Sequence, residues 1–176
     1  MDARLHQVQG KTEFVTDLLP LLQEFYRDKL SAVLRHTAVA RSVSQYDANN
    51  TYQYIINREE TELSWVGQAI ADLGGDVPVA GPEPDLGAAD TGADASQAII
   101  AEDARDAQTF VDRWRPRADT MTNARHRGML LVILGETLEQ KRFFDQACAG
   151  QLDLLGRRTA DVGARVGAVL PTRWIE

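Results

Sequence analysis

Apolar residues recur at helical spacing along most of this chain, and no stretch alternates with the two-residue period of a strand. From Phe14 onward the apolar stripe is Leu18, Leu22, Phe25, Ala32, Val33, His36, Val39 or Ala40, and Val43. The spacing predicts a first helix capped by Thr16 or Asp17, with Pro20 in or near its first turn, running to Ser44 or Gln45. Residues 1–12 are polar and are expected to form a loose arm or a short helix. Asp47 to Asn50 reads as a short joint, so the second helix, Asn50 to Leu73, is expected to be an antiparallel neighbour. Gly74-Gly75 supplies its stop signal. Residues 76–93, rich in Pro, Gly and Asp, cannot continue a helix. A connection of that length makes sense if the chain crosses from one end of a bundle to the other.

A third helix is predicted from Asp94-Ala95-Ser96, with Ile99, Ile100, Asp103, Ala107, Phe110 and Trp114 on one face, ended or kinked at Pro116. A fourth runs from Thr122 to Ala149 and stops at Gly150. The tail, residues 151–176, is expected to hold a short helix around Asp153 to Leu155 and an extended segment, Val169 to Ile175, packed on the outside. The expectation is an all-α single domain over residues 1–176: an antiparallel four-helix bundle spanning 15–150, a long crossover between helices two and three, and a C-terminal extension.

Charged residues interrupt these apolar stripes. Glu59 and Glu62 lie between Ile55-Ile56 and Leu63, Val66 and Ile70; Glu136 and Glu139 follow the apolar run Met129 to Leu134. Carboxylates three apart share a helix face. On a core-facing stripe each costs several kcal/mol, roughly, unless paired or metal-bound. Helix one places Lys29 in register with Phe25, Ala32 and His36, and helix three offers Asp103 and Asp106. If all these acids were buried and ionised, Lys29 would offset only one of them, whereas two divalent metals would bring the interior close to neutrality. Hard, oxygen-rich sites of this kind suit iron or manganese.

Composition narrows the field of partners. A formal net charge of −7 disfavours nucleic acid and anionic membrane surfaces. A single cysteine, Cys148, permits no intramolecular disulfide and fits a reducing compartment, so a cytoplasmic location is expected. The segment after Met1 lacks the apolar region of a signal peptide, and no apolar run approaches the ~20 residues of a spanning helix. No phosphate loop, nucleophile–base constellation or Cys/His zinc spacing occurs.

The segments KLSAVLRHTAVA, NREETELSWVGQAIADLGG, IIAEDARDAQTF and GETLEQKRFFDQ together resemble the ferritin-like superfamily of bacterial di-iron carboxylate proteins, which includes rubrerythrins and bacterioferritins. The resemblance spans roughly residues 15–150 and rests on pattern rather than on an invariant string. It implies a ferritin-like bundle with a metal site built from Glu59, Glu62, Asp103, Glu136 and Glu139, oxygen or peroxide redox chemistry, and a homodimer formed through helices one and two. The chain departs from the family pattern at several positions. Glu62 and Glu139 stand where the family has histidine, Lys29 and Asp103 where helices one and three supply glutamate, and His36 where a tyrosine often lies near the metal.

Two readings therefore stand. In the first, Glu59, Glu62, Asp103, Glu136 and Glu139 hold iron or manganese, with His36 behind the ligands. In the second, the metal site is lost and Lys29, with Asp106 as a further member, maintains an internal salt-bridge network in a structural or interaction protein.

Overall fold

The computed structural model describes residues 3–43, 46–82, 84, 93–151 and 154–155. Four helices account for nearly all of them: α1 (Ala3–Ser42), α2 (Tyr46–Asp72), α3 (Ala93–Asp119) and α4 (Ala124–Cys148). No strand occurs among the described residues. Several helix boundaries differ from the sequence expectation. Helix α1 begins at Ala3, so Pro20 lies well inside it rather than in its first turn, and α3 passes through Pro116 to end at Asp119. Both prolines are exposed, where the carbonyl freed by a missing N–H can be satisfied by water. Helix α1 ends at Ser42 and α2 begins at Tyr46, a few residues before the expected Asn50.

Local chemistry sets the helix ends. Gly74 takes φ 76°, with the Gly75 N–H bonded to the Ile70 carbonyl and the Gly74 N–H to that of Ala71. Gly150, at φ 83°, repeats the device at the end of α4, where the Gln151 N–H reaches the Gln146 carbonyl. A left-handed residue is needed in each case, and glycine adopts it without a Cβ penalty. Asn123 caps α4, its side chain accepting from the His126 N–H. The extended tail segment predicted from Val169 to Ile175 lies outside the described residues, as does Asp153. Leu154 and Leu155 form a turn and pack against the core near Cys148.

Helix α1 packs along α2, and α3 along α4, with looser contact between the pairs. The apolar stripes meet in two clusters, and every helix contributes to both. One cluster holds Leu22, Phe25, Val66, Ile70, Trp114 and Leu130; the other holds Val39, Tyr52, Ile55, Ile100, Phe143 and Phe144. Trp114 is fully buried, edge-on to Phe25 at 4.9 Å between ring centroids, and donates its indole N–H to Asp28 at 2.9 Å. Trp65, by contrast, is 40% exposed on the outside of α2. Between the two apolar clusters lies a layer of buried polar residues: Lys29, His36, Glu59, Glu62, Asp103, Thr137 and Gln140.

Two helix-interior glycines have different surroundings. Gly67 is buried, and a Cβ there would make ordinary contacts with Tyr26 at 3.5 Å and Val77 at 3.6 Å. Gly135 is exposed, and a Cβ there would meet nothing within 4 Å. Its helix-propensity cost is therefore uncompensated among the described residues. Gly135→Ala is expected to raise unfolding stability by about 1 kcal/mol in urea titrations; a loss of stability would mean that α4 is packed at this point.

Candidate functional site

The polar layer is built around Lys29. Its position on α1, one turn after Phe25 and one before Val33, carries the side chain into the interior, where the residue is 1% exposed. The ammonium lies 3.0 Å from Glu59 Oε1 and 2.8 Å from Glu62 Oε2, and donates more weakly to Thr137 Oγ1 at 3.4 Å. Thr137 in turn donates to the Ile133 carbonyl at 2.9 Å. The other Glu59 oxygen meets His36 Nδ1 at 2.8 Å. His36 is thus hydrogen-bonded to Glu59 of α2.

Glu62 is held differently. Its distance to Lys29 is that of an ion pair, but neither carboxylate oxygen has a directed hydrogen bond, although the residue is 1% exposed. Burial pushes the Glu62 carboxyl above the usual carboxylate range, against the opposing pull of Lys29. Glu59 goes the other way. Burial raises it too, but the charges of His36 and Lys29 outweigh that and hold the carboxyl below its ordinary value. Burial alone would lower the His36 imidazole, yet the Glu59 carboxylate overcomes this and raises it. Lys29 is raised by the same balance, burial being outweighed by Glu59 and Glu62.

Asp103 forms a second centre on the α3 side. It is fully buried, accepts a short hydrogen bond from the Tyr52 hydroxyl, and pairs with Arg35 Nε at 2.6 Å. Arg35 also reaches Glu102 at 2.9 Å and Asp106 at 3.5 Å. Burial first, and then the neighbouring Asp103 charge, raise the Tyr52 phenol far above its ordinary value, so Tyr52 remains a proton donor to Asp103.

The remaining acids predicted from sequence do not join these centres. Glu136 and Glu139 were expected on the interior face of α4; that register is corrected. Thr137 and Gln140 occupy the interior, each 4% exposed, while Glu136 pairs with Arg58 and Glu139 with Arg142 at the surface. Asp106, expected inside with Asp103, has a 58% exposed side chain at the edge of the Arg35 cluster. The physical reason is rotational: adjacent helix positions differ by about 100°, so a one-residue error in register moves a side chain from core to flank. Of the five expected ligands, Glu59 and Glu62 share Lys29, Asp103 belongs to the Tyr52–Arg35 centre, and Glu136 and Glu139 lie outside.

This donor set does not fit the iron or manganese centre implied by the family resemblance. The point between Glu59 and Glu62 is taken by an ammonium group, and the other acids are engaged by Arg35, Arg58 and Arg142. Among the described residues, no three His, Cys, Asp or Glu side chains converge as a metal site requires. Sequence reasoning passed over Arg35, Thr137 and Gln140. The signal for the last two was their i, i+4 and i, i+7 spacing from Ile133.

A cavity of about 320 Å³ opens from this layer between α1 and α3. Lys29, His36, Glu59, Thr137 and Gln140 form its floor, and partly or fully exposed residues such as Ser31, Asp106 and Arg113 its rim.

The His36–Glu59 pair makes stability depend on pH. The folded imidazole is raised above its ordinary value of 6.5, so its contribution is complete below that pH and is lost as pH rises through the raised folded value. Wild type is expected to lose stability above pH 6.5 in urea titrations, and the destabilisation caused by His36→Gln to shrink on going from pH 6 to the alkaline side. An unchanged difference would show that His36 is neutral throughout. No helix among the described residues is long and apolar enough to cross a membrane. Comparison with protein-family models, curated proteins and solved structures finds no match for this chain.

Proposed function

We propose that this chain is a ferritin-like antiparallel bundle in which a permanent Lys–carboxylate network stands in place of a metal centre. It acts as a metal-independent structural or interaction protein. The observation that carries this reading is the placement of the buried Lys29 ammonium 3.0 Å from Glu59 and 2.8 Å from Glu62. A fixed cation there supplies the compensating charge that the acids need, without an ion from solution.

The order of contacts supports the topology. Asn49 bonds the Ala40 carbonyl, Lys29 meets Glu62, and Gln23 bonds the Asp76 carbonyl, so residue numbers fall along α1 as they rise along α2. Arg35 with Asp103, Asp28 with Trp114 and Glu24 with Arg117 give α1 and α3 the same relation. Helices α2 and α3 then run in one direction, and the chain between them must travel the length of the bundle. Val79, Gly81, Pro82 and Pro84 lie beside Arg27, Leu30, Ser31 and Leu34 of α1, as such a crossover requires. Exposed Trp65 and Tyr54 on α2 support a homodimer using the outer face of this helix.

Mn(II), or Fe(II) under anaerobic conditions, is expected to leave the melting temperature unchanged and to give no stoichiometric binding heat. Stoichiometric binding accompanied by a higher melting temperature would overturn the reading. Lys29→Met, which strands two acids, should cost about 3–5 kcal/mol in urea unfolding. Adding Glu59→Gln and Glu62→Gln to Lys29→Met should recover much of that loss; a single mutant that unfolds like wild type removes the network from the argument. Light scattering should report a dimer, and Trp65→Glu a monomer of unchanged helical content.

A further inference from the structure

The cavity between α1 and α3 exists because facing positions are small. Ala32 on α1 and Ala107 on α3 both line it, at levels between the Arg35–Asp103 and Asp28–Trp114 contacts. Phe110 completes an apolar wall, partly buried against the adjoining core. At about 320 Å³ the space falls within the range of small-molecule pockets.

Its polar groups are unevenly satisfied. Lys29, Arg35, Arg113 and the raised His36 imidazole line it together with Asp28, Glu59 and Asp106. Each cation is already engaged: Lys29 by Glu59 and Glu62, Arg35 by Glu102, Asp103 and Asp106, and Arg113 by Glu24 at 2.6 Å and Asp28 at 2.9 Å. The His36 Nδ1 is held by Glu59, and the Thr137 hydroxyl is spent on the Ile133 carbonyl. Gln140 is the exception. It is 4% exposed, lines the floor, and its Nε2 has no hydrogen-bond partner. A buried donor without an acceptor is costly, and a ligand that supplies the acceptor recovers that cost.

A charged ligand would enter a site whose counter-charges are all committed and would lose its own hydration for no new ion pair. We propose that this cavity binds a small uncharged organic molecule, whose carbonyl-type oxygen accepts from Gln140 Nε2 and whose aromatic or alicyclic body lies between Ala32, Ala107 and Phe110. The inference rests on the network being neutralised by Lys29. A metal-binding chain would fail the earlier metal titration, whereas failure of the ligand experiment would leave that titration's outcome intact.

The test is an amide-resolved NMR titration of the full chain with acetophenone, isopropylbenzene and benzoate, which share size and an aromatic ring but differ in acceptor and charge. Acetophenone should bind saturably, with shifts centred on Ala32, Ala107 and Gln140. Isopropylbenzene should bind about fivefold more weakly, the worth of one hydrogen bond, and benzoate should show no saturable binding. Gln140→Met should erase the preference for acetophenone over isopropylbenzene. Ala107→Leu should remove binding of both, and Ala32→Leu, filling the space from the opposite helix, should do the same if Ala107→Leu does not fold. The proposal is overturned if acetophenone gives no saturable shifts, if benzoate binds best, if Gln140→Met keeps the preference, or if a folded cavity-filling variant binds as wild type does.

Discussion

The structure depends on keeping an ammonium group and its partner carboxylates out of water between two apolar clusters. Desolvating such charges costs several kcal/mol each, as an order of magnitude, and attraction offsets this only where geometry is close and the opposing charges are matched. The layer meets that condition with two bases, Lys29 and His36, facing two acids, Glu59 and Glu62. The match is uneven in detail. Glu59 is bonded on both oxygens and held ionised, while Glu62 has charge nearby but no directed bond, and burial pulls it towards its neutral form. The network therefore has a rigid arm along α1 and α2 and a less constrained one at Glu62.

The same layer shapes the seam between α1 and α3. Arg35 and its acids close one side of that seam, and Glu24 with Arg113 and Arg117 closes the other. The exposed pairs among these, Arg35 with Glu102 and Glu24 with Arg113 and Arg117, contribute little individually to stability, but with the buried Asp103 carboxylate they bridge the two helices. Small residues at Ala32 and Ala107 then leave room between the clamps, and the buried layer becomes the floor of a cavity rather than a sealed core. A polar interior and an access route thus follow from the same arrangement.

Helix α4 shows where sequence reading reaches its limit. Met129 to Leu134 is apolar on every side, so periodicity cannot say which face is inside. In the fold, Leu130, Ile133 and Leu134 are fully buried while Val132 is 52% exposed. Extending the wrong face by one residue placed Glu136 and Glu139 inside, when the interior positions are Thr137 and Gln140. Helices α1 and α2 have cleaner alternation of polar and apolar turns, and there Lys29, Glu59 and Glu62 were legible as interior charges before any coordinates.

The chain by itself determined its helices, their glycine stops at Gly74 and Gly150, and the presence of acids and a lysine on core-facing stripes, because these are set by local backbone preference and helical period. Tertiary structure alone decided which charges meet. That Lys29 reaches both Glu59 and Glu62, that Asp103 is claimed by Tyr52 and Arg35, and that Gln140 is left with an unused donor beside a cavity all depend on the relative rotation and spacing of separate helices. A rotation of one residue, about 100°, exchanges a buried partner for an exposed one, and only packing between helices selects it.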